Sequence, residues 1–294
     1  MRGQVRQRTL FAGSGAILCA VALLSAACGA FSIGRSVDGR ELAVMTFGDG
    51  PRAVLLVGGL HTGGEDNSRI IAERIALHVA QHPDVVPESI TLYILPSANP
   101  DGTARGIHTN AHGVDLNRNW PADDWVADAC HPATGCRHGL GGPAPLSEPE
   151  TSALYGFIEG MRPELTLVWH AEAPLVEANE VAGADVYGRA FADAAGYPYV
   201  EEWTAYRITG QLIDALEQRL RLRAIDVELS ECCGISAAEF DRNVRGLEAL
   251  LAAIDGKPAP QPNATCTPAP KPKANPTPSD DFLVFPTPRP INRC

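Results

Sequence analysis

Arg52-Ala53-Val54-Leu55-Leu56-Val57-Gly58-Gly59-Leu60-His61-Thr62-Gly63-Gly64-Glu65 is the stretch on which the fold turns. Its first half is a short apolar run stopped by a glycine pair, which predicts a strand over residues 53–57. Just beyond, Ile70, Ile71, Ile75 and Val79 repeat at helical spacing and predict a helix over residues 68–81. Residues 89–95 read as a second strand. Leu154, Phe157, Ile158 and Met161 mark a helix over 148–161, followed by a strand over 165–169, a helix over 210–220 and a strand over 224–229. Strands alternating with helices predict an α/β domain with a largely parallel sheet. In such sheets functional residues gather just past the carboxyl ends of the strands.

Composition sets bounds around this pattern. The chain has 294 residues, 45% hydrophobic and 20% charged, with a formal net charge of −11. That is ordinary globular composition. The acidic balance argues against a nucleic-acid partner. Arg2, Arg6 and Arg8 precede an apolar stretch ending in Ser25-Ala26-Ala27-Cys28, the three-part layout of a signal peptide. Residues 1–28 are therefore expected to direct export. Two endings compete: cleavage after Ala27, or a lipid on Cys28 that anchors the chain to a membrane. Residues 36–255 form the expected domain. Residues 256–294 carry eleven prolines and read as an extended tail with no packed core. An exported chain with cysteines beyond Cys28 implies disulfides, and Cys130 with Cys136, flanking a short loop, is the expected pair.

The polar residues at strand ends carry the chemistry. His61 and Glu65 can converge on one cation because the glycines between them allow a tight turn. His170 follows the strand over 165–169. Two imidazoles and a carboxylate make a three-ligand site with an open position, the arrangement of hydrolytic zinc. Glu228 lies within an apolar strand, where a carboxylate is costly unless paired or used; as a general base it would move a proton from water to a leaving amine. Asn117 and Arg118 are placed to grip a carboxylate.

Together, Asn99-Pro100-Asp101-Gly102, Gly113-Val114-Asp115-Leu116-Asn117-Arg118-Asn119-Trp120, and Leu146-Ser147-Glu148-Pro149-Glu150 ahead of Leu167-Val168-Trp169-His170 resemble zinc metallocarboxypeptidases of the carboxypeptidase A type. The compact domain looks closest to bacterial murein-peptide amidases. The resemblance runs from about residue 40 to 250. It implies a single α/β domain with a mixed, mostly parallel twisted sheet and helices on both faces. It implies one zinc ion held by His61, Glu65 and His170, with Glu228 as base and Asn117 and Arg118 on the substrate's terminal carboxylate. Tyr206 falls about where the family's mobile tyrosine would lie. Two departures stand out. Three residues separate His61 from Glu65 instead of two, which leaves Asp66 as an alternative ligand. The family's carbonyl-polarising arginine is replaced by His108, with Arg105 nearby.

The implied function is an exported, monomeric zinc exopeptidase acting on a C-terminal peptide bond, with a cell-wall peptide as the substrate. Two alternatives keep the same residues: a zinc-dependent deacylase or amidase of N-acyl amino acids, and a non-catalytic peptide-binding pseudo-peptidase.

Overall fold

The computed structural model describes residues 29–132, 135–171, 173–231 and 234–256. The expected leader, the proline-rich tail, Cys28, Cys232, Cys233, Cys266 and Cys294 lie outside the described residues. The strands are β1 (Gly29–Arg35), β2 (Glu41–Phe47), β3 (Arg52–Val57), β4 (Ile90–Leu95), β5 (Cys130–His131), β6 (Gly135–Cys136), β7 (Leu165–Ala171), β8 (Leu175–Ala178), β9 (Tyr199–Val200) and β10 (Ala224–Leu229). The helices are α1 (Asn67–Gln81), α2 (Pro100–Arg105), α3 (Pro149–Met161), α4 (Ala184–Ala195), α5 (Leu212–Ala215) and α6 (Ala237–Asp255).

Eight strands form one sheet in the order β1-β2-β4-β3-β7-β10-β8-β9. The middle of the sheet, β4-β3-β7-β10, is parallel throughout. Outside it the β1-β2, β2-β4 and β10-β8 pairs are antiparallel. The sheet is therefore mixed, because the β1-β2 hairpin and the return strand β8 escape the simple strand–helix alternation. β5 and β6 pair separately and are closed by the Cys130–Cys136 disulfide.

Both faces are covered. Val54 and Leu56 of β3 pack into a core with α1, α4 and α6; Leu55 and Val57 pack into a second core with α3 and α5. This is the consequence of a strand that is apolar at every position. α1 forms because Ile71, Ala72, Ile75, Ala76 and Val79 make one buried stripe. α6 starts where Ser236 accepts the Glu239 N–H at 3.1 Å and stops at Gly256, in the left-handed region at φ +78°.

Two boundaries differ from the sequence reading, and both matter for the site. His170 lies within β7, not after it, so its orientation is set by the pleat. The helix expected over 210–220 is only α5 followed by a π-helical turn, Leu216–Leu220. Gly210 instead sits at φ +64°, and its carbonyl accepts the Trp120 N–H at 3.1 Å. A Cβ there would fall 2.7 Å from the Arg118 carbonyl oxygen, so the close approach excludes a side chain.

Another glycine sets a helix contact. A Cβ on Gly246 of α6 would lie 2.7 Å from the Phe191 ring of α4. Gly246→Val is expected to destabilise the domain by about 1–3 kcal/mol, the cost of overpacking, read as a lower urea midpoint with unchanged slope.

Candidate metal and peptide site

Strand alternation decides which residues meet. In β7 the side chains of Leu165, Leu167 and Trp169 enter the core under α4 and α6, so His170 faces the opposite side. In β10, Ile225, Val227 and Leu229 do the same, leaving Asp226 and Glu228 on the face that carries His170. The register places His170 beside Glu228. Across the β10-β8 pair, Asp226 stands opposite Glu177. These side chains line a cavity together with His61, Glu65, Asn117, Arg118, His131 and Tyr206.

The loop after β3 brings His61 over this face. Gly58 and Gly59 extend the pairing with the β4 end, where the Ala98 and Asn99 N–H groups donate to their carbonyls at 3.0 and 2.8 Å. Gly63, at φ +69°, turns the chain so that Glu65 comes back to His61. His61 Nδ1 lies 3.0 Å from Glu65 Oε2, and its Nε2 lies 3.0 Å from Asp115 Oδ1. Asp115 also faces a second imidazole: its Oδ2 is 3.2 Å from His108 Nε2, and His108 Nδ1 is 3.4 Å from Glu65 Oε1. One buried carboxylate thus orients two rings, each presenting Nδ1 to Glu65. His131, carried on the disulfide-closed hairpin, brings its ring within 4.1 Å of the His108 ring.

The ligand atoms of His61, Glu65, His108 and His131 all lie within 4.8 Å of one another. Two ligands about 2 Å from a tetrahedral zinc stand roughly 3.3 Å apart. The His61–Glu65 spacing and the nitrogen and carboxylate donors therefore fit a zinc ion. Electrostatics agree. Burial would lower His61, but Asp115 and Glu65 raise it to about 10. Burial would raise Glu65, but His61 and then His108 and His131 bring it to about 2. The site attracts positive charge.

The expected residues are thus distributed as follows. His61, Glu65 and His170 share the cavity, but His170 is outside the four-residue group, its ring 5.1 Å from that of His61. Its Nε2 is 3.5 Å from Asn117 Nδ2 and 3.9 Å from Asp226 Oδ1. His108 lies within the group that could hold a metal ion, its Nδ1 3.4 Å from Glu65 Oε1. Arg105 is corrected: at the end of α2 it pairs with Asp38 at 2.8 Å and donates to the Ala111 carbonyl, so it does not line the cavity. Asp66 is likewise spent on Arg69 at 2.6 Å.

Arg118 and Asn117 sit on a short 3-10 turn, Leu116–Arg118, capped when Asp115 Oδ1 accepts the Asn117 N–H at 2.9 Å. Asn117 Oδ1 accepts the Leu212 N–H at 3.0 Å, tying the turn to α5. Arg118 donates through Nε to Cys130 O and through Nη1 to Asn117 O, at 3.0 and 2.8 Å. Its Nη2 is buried and has no hydrogen-bond partner among the described residues. Tyr206 lines the cavity with its ring edge-to-face against Trp203, and burial raises its hydroxyl. Burial, then Glu65 and Asp226, push Glu228 well above the usual carboxylate range. Asp226 is pushed the same way by burial, Glu177 and Asp214.

Sequence reasoning missed Asp115, His131, Asp226 and Glu177. Asp226 was within reach: at two residues from Glu228 it shares its face of the strand. His131 gave no periodic signal, because a two-residue strand carries none.

Comparison with known proteins follows from this geometry. A family model described as zinc carboxypeptidase matches residues 21–177, more than half of the chain. Murein peptide amidase A of Escherichia coli (strain K12) is 32% identical over 161 residues, 51% of this chain and 64% of that protein. The chain thus aligns with less than two thirds of that relative's length. The crystal structure of murein-tripeptide amidase MpaA from Escherichia coli O157 superposes with a TM-score of 0.57 at 25% identity, covering 76% of this chain and 91% of that one. Bovine thrombin-activatable fibrinolysis inhibitor, in complex with tick carboxypeptidase inhibitor, gives a TM-score of 0.66 at 16% identity over 82% of this chain and 93% of that one, a likeness of fold.

Asp115→Asn is expected to weaken zinc binding by roughly 10–100-fold, because both rings lose their orienting carboxylate. Competition with a chromogenic chelator reads the change.

Proposed function

Because this chain belongs to the zinc carboxypeptidase family, and is a hydrolase of the metallopeptidase type, we propose that it removes the C-terminal residue of a peptide. One observation carries this reading. The unpartnered Arg118 Nη2 and the unpartnered Glu228 Oε2 line the same cavity as the His–Glu metal group. A buried guanidinium with a free donor fits a substrate carboxylate. A buried carboxylate with a raised proton affinity fits a base that takes a proton from water and returns it to the leaving nitrogen.

His61, Glu65 and the imidazoles beside them would hold the metal. A zinc ion there would supply a Lewis acid for the scissile carbonyl and the water. Arg118 and Asn117 hold the carboxylate of the departing residue and so fix which bond reaches Glu228. Tyr206 and Trp203, at the rim, cover the entrance and limit water around the reacting groups. Glu228 takes one proton from the attacking water. As the C–N bond breaks, that proton goes to the leaving nitrogen, and the second proton of the water, released from the new carboxyl group, turns the departing amine into an ammonium and leaves a carboxylate on the shortened peptide.

The likeness to murein peptide amidase A supports a cell-wall peptide as the substrate. It also supports a second reading, in which the bond cut is an amide of a wall peptide and the released group is larger than one amino acid. Export is proposed on the leader-like residues 1–28, with lipid on Cys28 or cleavage after Ala27, and is supported by the Cys130–Cys136 disulfide, which persists in oxidising compartments. Among the described residues no helix is long and apolar enough to cross a membrane.

Three measurements test the reading. Glu228→Gln should retain zinc yet lose roughly 10³-fold in kcat; normal turnover in that variant would remove Glu228 as the base. Arg118→Ala should cost roughly 10²-fold in kcat/KM on peptides with a free C-terminal carboxylate and little on their amides. Equal losses on both substrates would remove Arg118 from the carboxylate site. Dialysis against a chelator should abolish hydrolysis, and zinc should restore it.

A further inference from the structure

We propose that the histidine cluster beside the hydrolytic group holds a second divalent cation, with His108, His131 and one oxygen of Glu65 as its ligands, so that Glu65 bridges two ions. This rests on the metallopeptidase reading and deepens it by naming the metal content of the same site. Glu65 divides its oxygens. Oε2 lies 3.0 Å from His61 Nδ1, whereas Oε1 lies 3.4 Å from His108 Nδ1 and 3.9 Å from His131 Nε2. These spacings are near the roughly 3.3 Å between two ligands of one tetrahedral ion. A carboxylate that offers each oxygen to a separate set of imidazoles is placed to join two cations, as in hydrolytic sites whose paired ions stand about 3.5–4 Å apart.

Hydrogen-bond counting points the same way. His61 and His108 each face carboxylate oxygens with both ring nitrogens. Nε2 of each meets Asp115, at 3.0 and 3.2 Å, and Nδ1 of each meets Glu65. A neutral imidazole has one N–H. With that proton donated to Asp115, Nδ1 meets Glu65 lone pair to lone pair, once at each oxygen. A second proton on each ring would stack two like charges with ring centroids 4.0 Å apart. A cation between each Nδ1 and its Glu65 oxygen removes both conflicts, and an imidazole that binds metal while donating its other N–H to a carboxylate is the usual support of a metal ligand. Donor number agrees. One ion held by His61, Glu65, His108 and His131 together would have no open position for water, which a hydrolytic ion needs. Two ions share the donors evenly: His61, Glu65 Oε2 and His170, whose ring is 5.1 Å from that of His61, on one side, and His108, His131 and Glu65 Oε1 on the other. Among the described residues Arg118 is the one arginine or lysine lining the cavity, and it is committed to the terminal carboxylate. Positive charge facing a developing oxyanion therefore has to come from cations, and a pair supplies more of it than one.

The test counts metal, not turnover. Protein stripped with a chelator and dialysed against zinc should hold two equivalents by elemental mass spectrometry, and calorimetry should resolve two binding steps. His131→Ala should weaken the second step by roughly 10²-fold or more, since loss of an outer-shell partner alone costs up to that, and should leave the first in place. His108→Ala should do the same, and it keeps the comparison available if His131→Ala does not fold. Cobalt locates the ions. A first equivalent of Co(II) should give the spin-resonance signal of an isolated ion, and a second should lower the integrated signal per cobalt, because a shared carboxylate couples the two spins. A single equivalent in the unmodified protein overturns the proposal. So does a second equivalent that both variants retain, or one that leaves the signal per cobalt unchanged, since that ion binds elsewhere. The two layers fail separately. Peptide cleavage with a single equivalent sustains the exopeptidase reading and ends the second site. Two coupled ions in a protein that cleaves no peptide uphold the second site and end the exopeptidase reading.

Discussion

The site depends on one buried carboxylate. Asp115 has no exposure and sits between two imidazoles, with one oxygen on His61 Nε2 and the other on His108 Nε2. That placement fixes which nitrogen of each ring is free, and both free nitrogens face Glu65. Burial would push Asp115 upward, but His61 and then Arg118 hold it well below the usual carboxylate range. The same side chain caps the turn that carries Asn117 and Arg118. The candidate metal group and the turn carrying Asn117 and Arg118 are therefore built on a common post, and a shift in one reaches the other. Orientation of this kind, from behind the ligands, is what gives a metal centre its affinity.

The second constraint is charge. Among the described residues, the cavity gathers four carboxylates, Glu65, Glu177, Asp226 and Glu228, against the single guanidinium of Arg118. Such a wall is costly for the folded chain unless cations arrive. A divalent metal in the group that contains Glu65 would answer that carboxylate. Among the described residues, Arg118 Nη2, Trp203 Nε1, Gln211 Oε1, Asp226 Oδ1 and Glu228 Oε2 are buried without a hydrogen-bond partner and belong to residues of this one cavity, while others of the kind lie elsewhere in the fold. Orphaned buried polar groups concentrated in one place are what a binding site looks like without its ligand. Stability elsewhere supports this cost through two apolar cores, one on each face of the sheet.

Much of this was legible in the sequence. The apolar run at residues 53–57 is a strand, and the helical spacing after it is α1. The Gly113–Trp120 segment does hold Asn117 and Arg118 in the cavity. Those signals are local and periodic, so one chain displays them. Arg105 shows where such reading stops. It is close to His108 along the chain, yet it pairs with Asp38 and does not line the cavity. His131 was invisible for a related reason: only the disulfide and a two-residue pairing bring it over the metal group. The family match itself ends at residue 177, so the position of Glu228 relative to the histidines came from the sheet.

By itself the sequence determined the alternation of strand and helix, the residue types able to bind a cation, and the carboxylate left inside an apolar strand. These follow from short-range patterns of hydrophobicity and chemistry, which need no partner to be read. Tertiary structure decided the rest: that β10 lies between β7 and β8, that His170 and Glu228 share a register, and that Asp226 confronts Glu177. Strand neighbours and register are set by long-range pairing and by packing on both faces. A shift of one residue would have turned every one of these side chains to the other side of the sheet.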